Sequence, residues 1–201
     1  MGPTLVILAR HGESDWNAAG RYQGHADRPL TDRGRRQARE LADRLAGVQL
    51  DAVYASDLAR ARDTAAPVAQ AHALEVETLA ELREVDVGSW SGLTREEAEQ
   101  RFPDGYRRWL RWELAWEDGE SYEAMGERVV EAVHRLAARH PGGRILVVSH
   151  GGSIRAVHAA AAGLDVASYR RLHPVVPNAE LSAVVVGRDG RLSEALDHDL
   201  D

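Results

Sequence analysis

Two short apolar runs constrain the fold of this chain more than any other feature. The first, Thr4–Ala9, stops at Arg10, and the second, Arg144–Ser149, stops at His150. In both places a His-Gly pair follows the run. A short apolar run that ends at turn residues is typical of a strand buried on both faces of a sheet. Both runs are far shorter than the roughly 20 residues that a membrane helix needs.

Helical patterns alternate with these strands along the chain. A shorter strand is predicted over Asp51–Tyr54, and two runs joined across a glycine turn, Glu180–Val186 and Leu192–Ala195, predict a C-terminal hairpin. Apolar residues at helical spacing predict helices over Gly34–Ala46, Leu58–Ala73, Tyr122–Arg139 and Ser153–Ala162. This alternation predicts an α/β fold, a three-layer sandwich whose mostly parallel central sheet is flanked by helices.

One segment breaks the alternation. From about residue 93 to residue 119 the sequence is helical in pattern, rich in aromatic residues and without a strand. We interpret it as a small helical cap inserted into a single domain that spans residues 1–201. The residues at helical spacing in this cap are Tyr106, Trp109, Trp112 and Trp116. They either pack the cap against the body or against a second subunit of a homodimer, or they form an aromatic wall for the leaving group.

The composition excludes several kinds of chemistry. The 201 residues include 32 acidic and 25 basic side chains, which gives a net charge of −7, and the chain has no cysteine. An acidic surface argues against nucleic acid or an anionic membrane as a partner. The lack of cysteine excludes disulfides and thiolate catalysis. All 25 basic residues are arginine, so no lysine is available for a Schiff base or a phosphate. We see no targeting or membrane segment and expect a soluble, cytoplasmic protein.

The two histidines that follow the apolar runs are candidate site residues. Ligands of a parallel α/β sheet bind beyond the carboxyl ends of the strands, which is where His11 and His150 are predicted to lie. Either histidine alone could simply satisfy loop amides, but a pair at equivalent strand ends favours a site. The glycine after each histidine lets the backbone approach a ligand closely. Arg10 adds a permanent positive charge.

Two further segments contain charged residues near predicted strand ends. Ser56 is a candidate N-cap for the next helix, and Arg60 would lie in the first turn of that helix. A cation is unfavourable there unless an anion shares the space, so Arg60 either marks an anion site or points to solvent. The loop over residues 81–92 is acidic and contains glycines, and any one of its carboxylates could be a solvated surface group.

Together these segments resemble the histidine phosphatase superfamily, also called the phosphoglycerate-mutase-like family. A lone R-H-G motif would be weak support, whereas an ordered set of motifs is specific. The matching pieces run in the family's order from Leu8 to Gly152: L-A-R-H-G-E-S-D-W-N, G-R-Y-Q-G, P-L-T-D-R-G-R-R-Q-A, S-D-L-A-R-A-R-D-T-A, L-R-E-V-D-V-G-S-W-S-G, G-E-S-Y-E-A-M-G-E-R-V and V-V-S-H-G-G.

The resemblance implies a role for each matching residue. His11 matches the nucleophile that takes the phosphoryl group onto a ring nitrogen, and Arg10 beside it disfavours the imidazolium form. Glu84 matches the proton donor that protonates the leaving alkoxide and then deprotonates the attacking water. Arginine suits phosphoryl oxygens because its planar fork offers two parallel donors. The residues that match the phosphoryl pocket are Arg10, Arg60 and His150.

Other positions match contacts to the substrate. These positions are Asn17, Gln23, Gly24 and Gly151. Arg21 either supports them or is a solvated loop residue. Glu81 and Asp86 compete with Glu84 for the proton-donor role, with surface solvation as their alternative. The sequence indicates no metal and no cofactor, since it contains no H-E-x-x-H motif and no acidic calcium loop.

The family contains both phosphatases and mutases. Water takes the group from phosphohistidine in a phosphatase, and a substrate hydroxyl takes it in a mutase. The stretch from Glu84 to His150 is short beside the insertion of the glycolytic mutases, and Val85–Trp90 lacks their basic cluster. We therefore predict a phosphatase of small phosphorylated metabolites, either broad in specificity or selective for sugar or nucleoside phosphates, as in similar short bacterial members. The alternatives are a cofactor-dependent phosphoglycerate mutase and a non-catalytic relative that binds phosphorylated ligands.

Overall fold

Six strands form one sheet in this computed structural model, which describes residues 2–113 and 116–195. The strands are β1 (Thr4–Arg10), β2 (Ala52–Ser56), β3 (Val76–Leu79), β4 (Arg144–Ser149), β5 (Leu181–Val186) and β6 (Leu192–Glu194). Their order across the sheet is β3-β2-β4-β1-β5-β6. The first four strands are parallel, and β5 and β6 run antiparallel as a terminal hairpin. The predicted mostly parallel sheet and the hairpin are confirmed.

Eight α-helices are found within the described ranges. They are α1 (Asp15–Ala18), α2 (Asp32–Leu45), α3 (Ala59–Ala71), α4 (Arg95–Arg101), α5 (Pro103–Leu110), α6 (Tyr122–Arg139), α7 (Gly151–Ala161) and α8 (Val166–Leu172). Short 3₁₀ turns lie at Ala80–Leu82 and Gly88–Trp90. The four predicted helices correspond to α2, α3, α6 and α7. The segment interpreted as a cap contains α4 and α5.

The sheet separates two hydrophobic layers, as the alternation within β1 shows. Leu5 and Ile7 are buried among α2 and α3 on one face, while Val6 and Leu8 are buried among α6 and α7 on the other. Because successive side chains of a strand point to opposite faces, a continuous apolar run needs cover on both sides. The three-layer prediction is therefore confirmed.

Two predicted helix starts are wrong. The N-cap of α3 is Leu58, not Ser56, and it makes no side-chain capping bond; Ser56 is the last residue of β2, with its Oγ 3.4 Å from the Leu58 N–H. Helix α7 begins at Gly151, not at Ser153. Both errors arise because a strand here passes into a helix almost without a loop. As a result, the glycines after His150 lie in the first turn of α7.

The aromatic stripe predicted for the cap does not form. Helix α5 ends at Leu110, and Trp112 follows it with a left-handed backbone, φ 67°. Trp116 is buried and packs against Trp90, and its indole N–H donates to the Glu120 carbonyl. Trp109 packs edge-on against Tyr22. These side chains tie the cap to the body and do not line the cavity described below.

In the part of the chain that the structure describes, we find no helix with the length and apolar character needed to span a bilayer.

Candidate active site

The pairing of β1 with β4 brings the two motif histidines together. Arg10 lies opposite Ser149 at the carboxyl ends of these neighbouring strands, and the His11 N–H donates to the Ser149 carbonyl at 3.0 Å. His11 and His150 are the residues that follow these two strands, and the centroids of their rings lie 5.1 Å apart. Both side chains are buried. The sheet therefore builds the centre of the site from two adjacent strand ends.

One hydrogen bond fixes the orientation of His11. Its Nδ1 lies 2.7 Å from the Gly12 carbonyl oxygen, which can only accept a hydrogen bond. Nδ1 therefore holds the proton, and the lone pair is on Nε2. The Gly12 N–H is held in turn by the Thr64 Oγ at 2.9 Å, and the Thr64 hydroxyl donates to the Arg60 carbonyl. A neutral imidazole in this tautomer is a nucleophile at Nε2.

Burial and neighbouring charges keep both imidazoles neutral. Burial is the main cause that lowers the pKa of His11 well below its usual value, and the charges of Arg60 and Arg10 lower it further. The pKa of His150 is lowered in the same way, first by burial and then by Arg60. Arg10 lowers the pKa of His11, as the sequence predicts, but burial lowers it more.

Buried nitrogen atoms of Arg10, Arg60 and His150, whose neutral ring carries a single N–H, are available to a ligand. The Nε of Arg10, the Nε of Arg60 and both ring nitrogens of His150 have no hydrogen-bond partner within residues 2–113 and 116–195. Arg60 is held in place by its other nitrogens, which donate to the carbonyls of Gly24 and Ala26 at 2.8 and 2.7 Å. Burial lowers the pKa of Arg60 to about 10, so it remains a cation at neutral pH. Unpaired buried donors of this kind are suited to an oxyanion such as a phosphoryl group.

Two backbone N–H groups fix the carboxyl group of Glu84 at the cavity wall. One carboxylate oxygen accepts from the Gly152 N–H at 2.9 Å, and the other accepts from the Val85 N–H at 3.0 Å. The backbone of this loop is held by Arg128 on α6, which donates to the carbonyls of Glu84, Arg83 and Glu81. Arg128 also pairs with the Glu120 carboxylate at 2.7 Å. The carboxyl group of Glu84 is thus positioned by α6 and by the start of α7.

These residues line one cavity of about 540 Å³. All ten residues predicted for the site line it, namely Arg10, His11, Asn17, Arg21, Gln23, Gly24, Arg60, Glu84, His150 and Gly151. The two competing carboxylates do not. Glu81 pairs with Arg135 at 2.6 Å, and Asp86 accepts from the Gly88 N–H at 3.0 Å. The structure therefore brings together the residues that the motifs identified.

The first-loop residues are held by one another. Asn17 caps α1 together with Ser14, whose hydroxyl also contacts the Gln23 side-chain oxygen at 2.7 Å. Gly24 has φ 50°, and a side chain there would overlap Val87, so this position requires glycine. Arg21 donates to the Gly92 carbonyl and pairs with Glu97 of α4 at 2.8 Å. Arg21 thus ties the loop to the cap from the edge of the cavity.

Sequence reasoning missed several residues of the site. Gly152 positions the Glu84 carboxylate through one hydrogen bond, and Thr64 positions Gly12 through another. Arg128 positions the backbone of the loop that contains Glu84. Tyr122 and Arg155 line the cavity from α6 and α7. No local signal marks these residues, because each contact joins segments far apart in the chain. No group of three or more His, Asp or Glu in the described segments is placed to hold a metal ion.

Comparison with known proteins identifies the family. The family model of the histidine phosphatase superfamily (branch 1) matches residues 6–198. The chain belongs to this superfamily. Phosphoserine phosphatase 1 of Hydrogenobacter thermophilus is 38% identical over 82% of this chain and 79% of its own length. A probable phosphoglycerate mutase of Salmonella arizonae is 35% identical over 83% of this chain and 79% of its own.

Solved structures show the same relationship. Mycobacterial glucosyl-3-phosphoglycerate phosphatase in complex with VO3 superposes with a TM-score of 0.86 and 32% identity, covering 96% of this chain and 97% of its own. Together with the family match, these similarities show that the chain is a hydrolase of phosphate monoesters, and they give the mutase alternative less support.

Proposed function

We propose that this histidine phosphatase hydrolyses small phosphorylated metabolites through a phosphohistidine formed on His11. The observation that carries the proposal is the hydrogen bond from His11 Nδ1 to the Gly12 carbonyl, which leaves Nε2 as the nucleophile beside unpaired buried donors. Phosphoryl transfer depends mostly on positioning and on charge stabilisation, and this pocket offers both.

The first step transfers the phosphoryl group to the enzyme. The Nε2 lone pair attacks phosphorus, the bond from phosphorus to the ester oxygen breaks, and the carboxyl group of Glu84 gives its proton to the leaving alkoxide. Arg10, Arg60 and His150 donate hydrogen bonds to the phosphoryl oxygens as charge redistributes. In the second step a water attacks phosphorus, and the Glu84 carboxylate takes its proton. The bond to Nε2 breaks, and inorganic phosphate and neutral His11 result.

The residues after Glu84 support hydrolysis over transfer to a second substrate hydroxyl. Val85 and Val87 are buried, and both line the cavity. The wall beside the proton donor is therefore apolar where a mutase of this family has a basic cluster. A mutase also has to keep water from its phosphoenzyme, and the stretch between Glu84 and His150 is short for that purpose.

An initial-rate screen of phosphate release from assorted phosphomonoesters tests this proposal. We expect hydrolysis that persists in EDTA, and an acid-labile phosphoenzyme in rapid-quench samples. Both are lost in His11→Ala and retained in His72→Ala, a control at the far end of α3. Activity that survives His11→Ala would overturn the mechanism. Efficient interconversion of 2- and 3-phosphoglycerate with negligible phosphate release would overturn the assignment as a phosphatase.

A further inference from the structure

The segment of residues 176–180, between α8 and β5, folds back onto the end of β1. The Arg10 Nη1 donates to the Val176 carbonyl at 2.8 Å. The Ala179 N–H donates to the Arg10 carbonyl at 3.0 Å and lies 3.3 Å from the His11 carbonyl oxygen. This segment therefore contacts both the guanidinium of Arg10 and the backbone that leads to the nucleophile of the proposed mechanism.

The backbone of Ala179 shows that the conformation of this segment is imposed by its surroundings. Its φ is 58°, in the left-handed region that an alanine enters only at a cost in energy. A residue stays in such a conformation where the structure around it leaves no alternative, and such residues cluster at functional sites. The residue before it, Asn178, is the one whose side chain reaches the active site.

The side-chain amide of Asn178 is oriented by the His11 backbone. Its Nδ2 lies 2.9 Å from the His11 carbonyl oxygen. Because a carbonyl oxygen can only accept a hydrogen bond, the atom that faces it is the amide nitrogen of Asn178 and not the amide oxygen. The same Nδ2 donates to Asn17 Oδ1 at 3.3 Å, across 161 positions of the chain. The chain has two asparagines, and the structure brings them into contact here.

This contact determines which end of the Asn17 amide remains for a ligand. Asn17 Oδ1 also accepts from the Ser14 N–H at 3.2 Å, and a backbone N–H can only donate. The oxygen of Asn17 is therefore turned toward Ser14 and Asn178. Since Asn17 lines the catalytic cavity, its NH2 group is the end that can meet a ligand there, with two donors for oxyanions.

We propose that Asn178 is a positioning residue for phosphoryl transfer, which passes the orientation of the His11 carbonyl on to the Asn17 amide. In the part of the chain that the structure describes, Asn178 is not among the residues that line the cavity, so it acts through Asn17 and not on the substrate. Without Asn178 the Asn17 amide is free to rotate and to present its oxygen, which cannot donate to a phosphoryl group. This inference rests on the proposed phosphatase function.

Labelling with ¹⁵N-asparagine tests the contact in the wild-type enzyme, because two side-chain NH2 groups alone then give signals. Asn17→Ala and Asn178→Ala assign these signals. The probe is orthovanadate, which resembles a phosphoryl group in transfer, and calorimetry gives its Kd. We expect saturating vanadate to shift the NH2 signals of both asparagines. If either signal stays in place while vanadate binds, the proposal is overturned.

A double-mutant cycle tests whether Asn178 acts through Asn17. We expect Asn178→Ala to lower kcat/KM roughly 5- to 50-fold, between the effect of one lost hydrogen bond and that of a small misplacement of a reacting group. Asn17→Ala should have a similar effect. The double variant should lose less than about threefold more than the more impaired single variant, since both changes remove the same contact. Losses that multiply would overturn the proposal.

The affinity for vanadate distinguishes a positioning role from support of the fold. In Asn178→Ala we expect the Kd for vanadate to rise by a factor similar to the loss in kcat/KM. Gln70→Ala, which removes an exposed amide on α3, should keep the wild-type values. A wild-type Kd in folded Asn178→Ala, checked by its thermal transition, would contradict the proposal. If Asn178→Ala does not fold, the ¹⁵N signals of the wild-type enzyme still decide.

Failure of this inference is distinct from failure of the proposed function. If the wild-type enzyme releases phosphate in a His11-dependent way but the losses in the cycle multiply, the phosphatase stands and the role of Asn178 does not. If no phosphomonoester is hydrolysed at all, the proposed function fails first.

Discussion

The backbone N–H of Gly152 donates to Glu84 Oε2 at 2.9 Å, and no room remains for a side chain at Gly152 because a Cβ would overlap Glu84 Oε1. Glu84, the proton donor in our proposal, is therefore in direct contact with the helix that follows His150, although the two residues are 68 positions apart in the chain. In the mechanism that we propose, this contact places the proton transfer to the alkoxide beside Arg10, Arg60 and His150.

Gly152→Ala should displace the Glu84 carboxyl group. We expect kcat to fall by up to about 100-fold, since small misplacements of a catalytic group have costs of that order. Gly47→Ala is the control, because a Cβ at Gly47 meets open space. Steady-state kinetics with a thermal melt of each variant provide the measurement. A Gly152→Ala enzyme with wild-type kcat would show that Glu84 is not held by this contact during turnover.

Arg128→Met should impair the chemical step while leaving substrate binding largely intact. Arg128 positions the Glu84 loop through three carbonyls, so its loss lowers kcat more than it changes KM. An aryl ester needs less help from an acid than an alkyl ester, and p-nitrophenyl phosphate should therefore lose less activity than an alkyl phosphate.

Arg135→Met is the matched control, because Arg135 is on the same helix and pairs with Glu81 at the surface. An equal loss for aryl and alkyl substrates in Arg128→Met would mean that the loop supports the fold rather than the acid.

Thr64→Val should weaken both stability and catalysis. The Thr64 hydroxyl links the Gly12 N–H to the Arg60 carbonyl in a fully buried position, and valine has nearly the same shape but no hydroxyl. We expect a loss of about 1–3 kcal/mol in the free energy of unfolding, measured in urea. Lower kcat/KM should accompany it, since Gly12 orients His11. An unchanged stability would argue that the Gly12 N–H finds another partner.

The folded protein should lose stability as the pH falls below about 6.5. The unfolded histidines bind protons near that pH, whereas burial lowers the pKa of His11 and His150 in the folded state. Protons therefore favour the unfolded chain, by up to about 1.4 kcal/mol per pH unit for each histidine. Urea titrations at pH 7, 6 and 5 in phosphate-free buffer measure the slope, which should be smaller in His150→Asn. Identical slopes would contradict a neutral, buried His150.

Trp116→Ala should destabilise the protein by about 3–5 kcal/mol, the usual cost of removing a large buried aromatic side chain. Trp116 packs against Trp90 and Tyr122, so all substrates should lose activity together. The measurement compares the thermal melt of Trp116→Ala with that of the wild-type enzyme, together with kcat/KM of each for bulky and for small substrates. A change in selectivity at unchanged stability would restore the idea of an aromatic wall.

The parts of the site that could be predicted are those that a strand end fixes locally. His11 and His150 follow apolar runs whose burial is evident from composition, and parallel strands bring their carboxyl ends together. Glu84 could be chosen only from the family motif, because nothing in the local sequence distinguishes it from Glu81 and Asp86 in the same acidic loop. The ends of the helices were less predictable. Nothing near Leu110 marks the end of α5, where Trp112 follows with φ 67° and the chain continues to Trp116, which packs against Trp90.

The contacts that were missed depend on tertiary structure. A glycine in the first turn of a helix gives no sign that a carboxylate 68 positions away will occupy the space of its missing Cβ. Arg155 is likewise one arginine among 25, and only its place in the cavity, without a counter-ion, distinguishes it.

The pairing of β1 with β4 holds one part of the site more rigidly than the rest. His11 and His150 extend from neighbouring strands in the interior of the sheet, so they cannot separate without breaking its central hydrogen bonds. The segment around α4 and α5 is different, since it contributes no strand to the sheet and packs on the body through side chains such as Trp109 and Trp116. Because Thr94, Arg95 and Glu96 of this segment line the cavity, replacements there would alter the surroundings of a leaving group and leave the paired histidines in place.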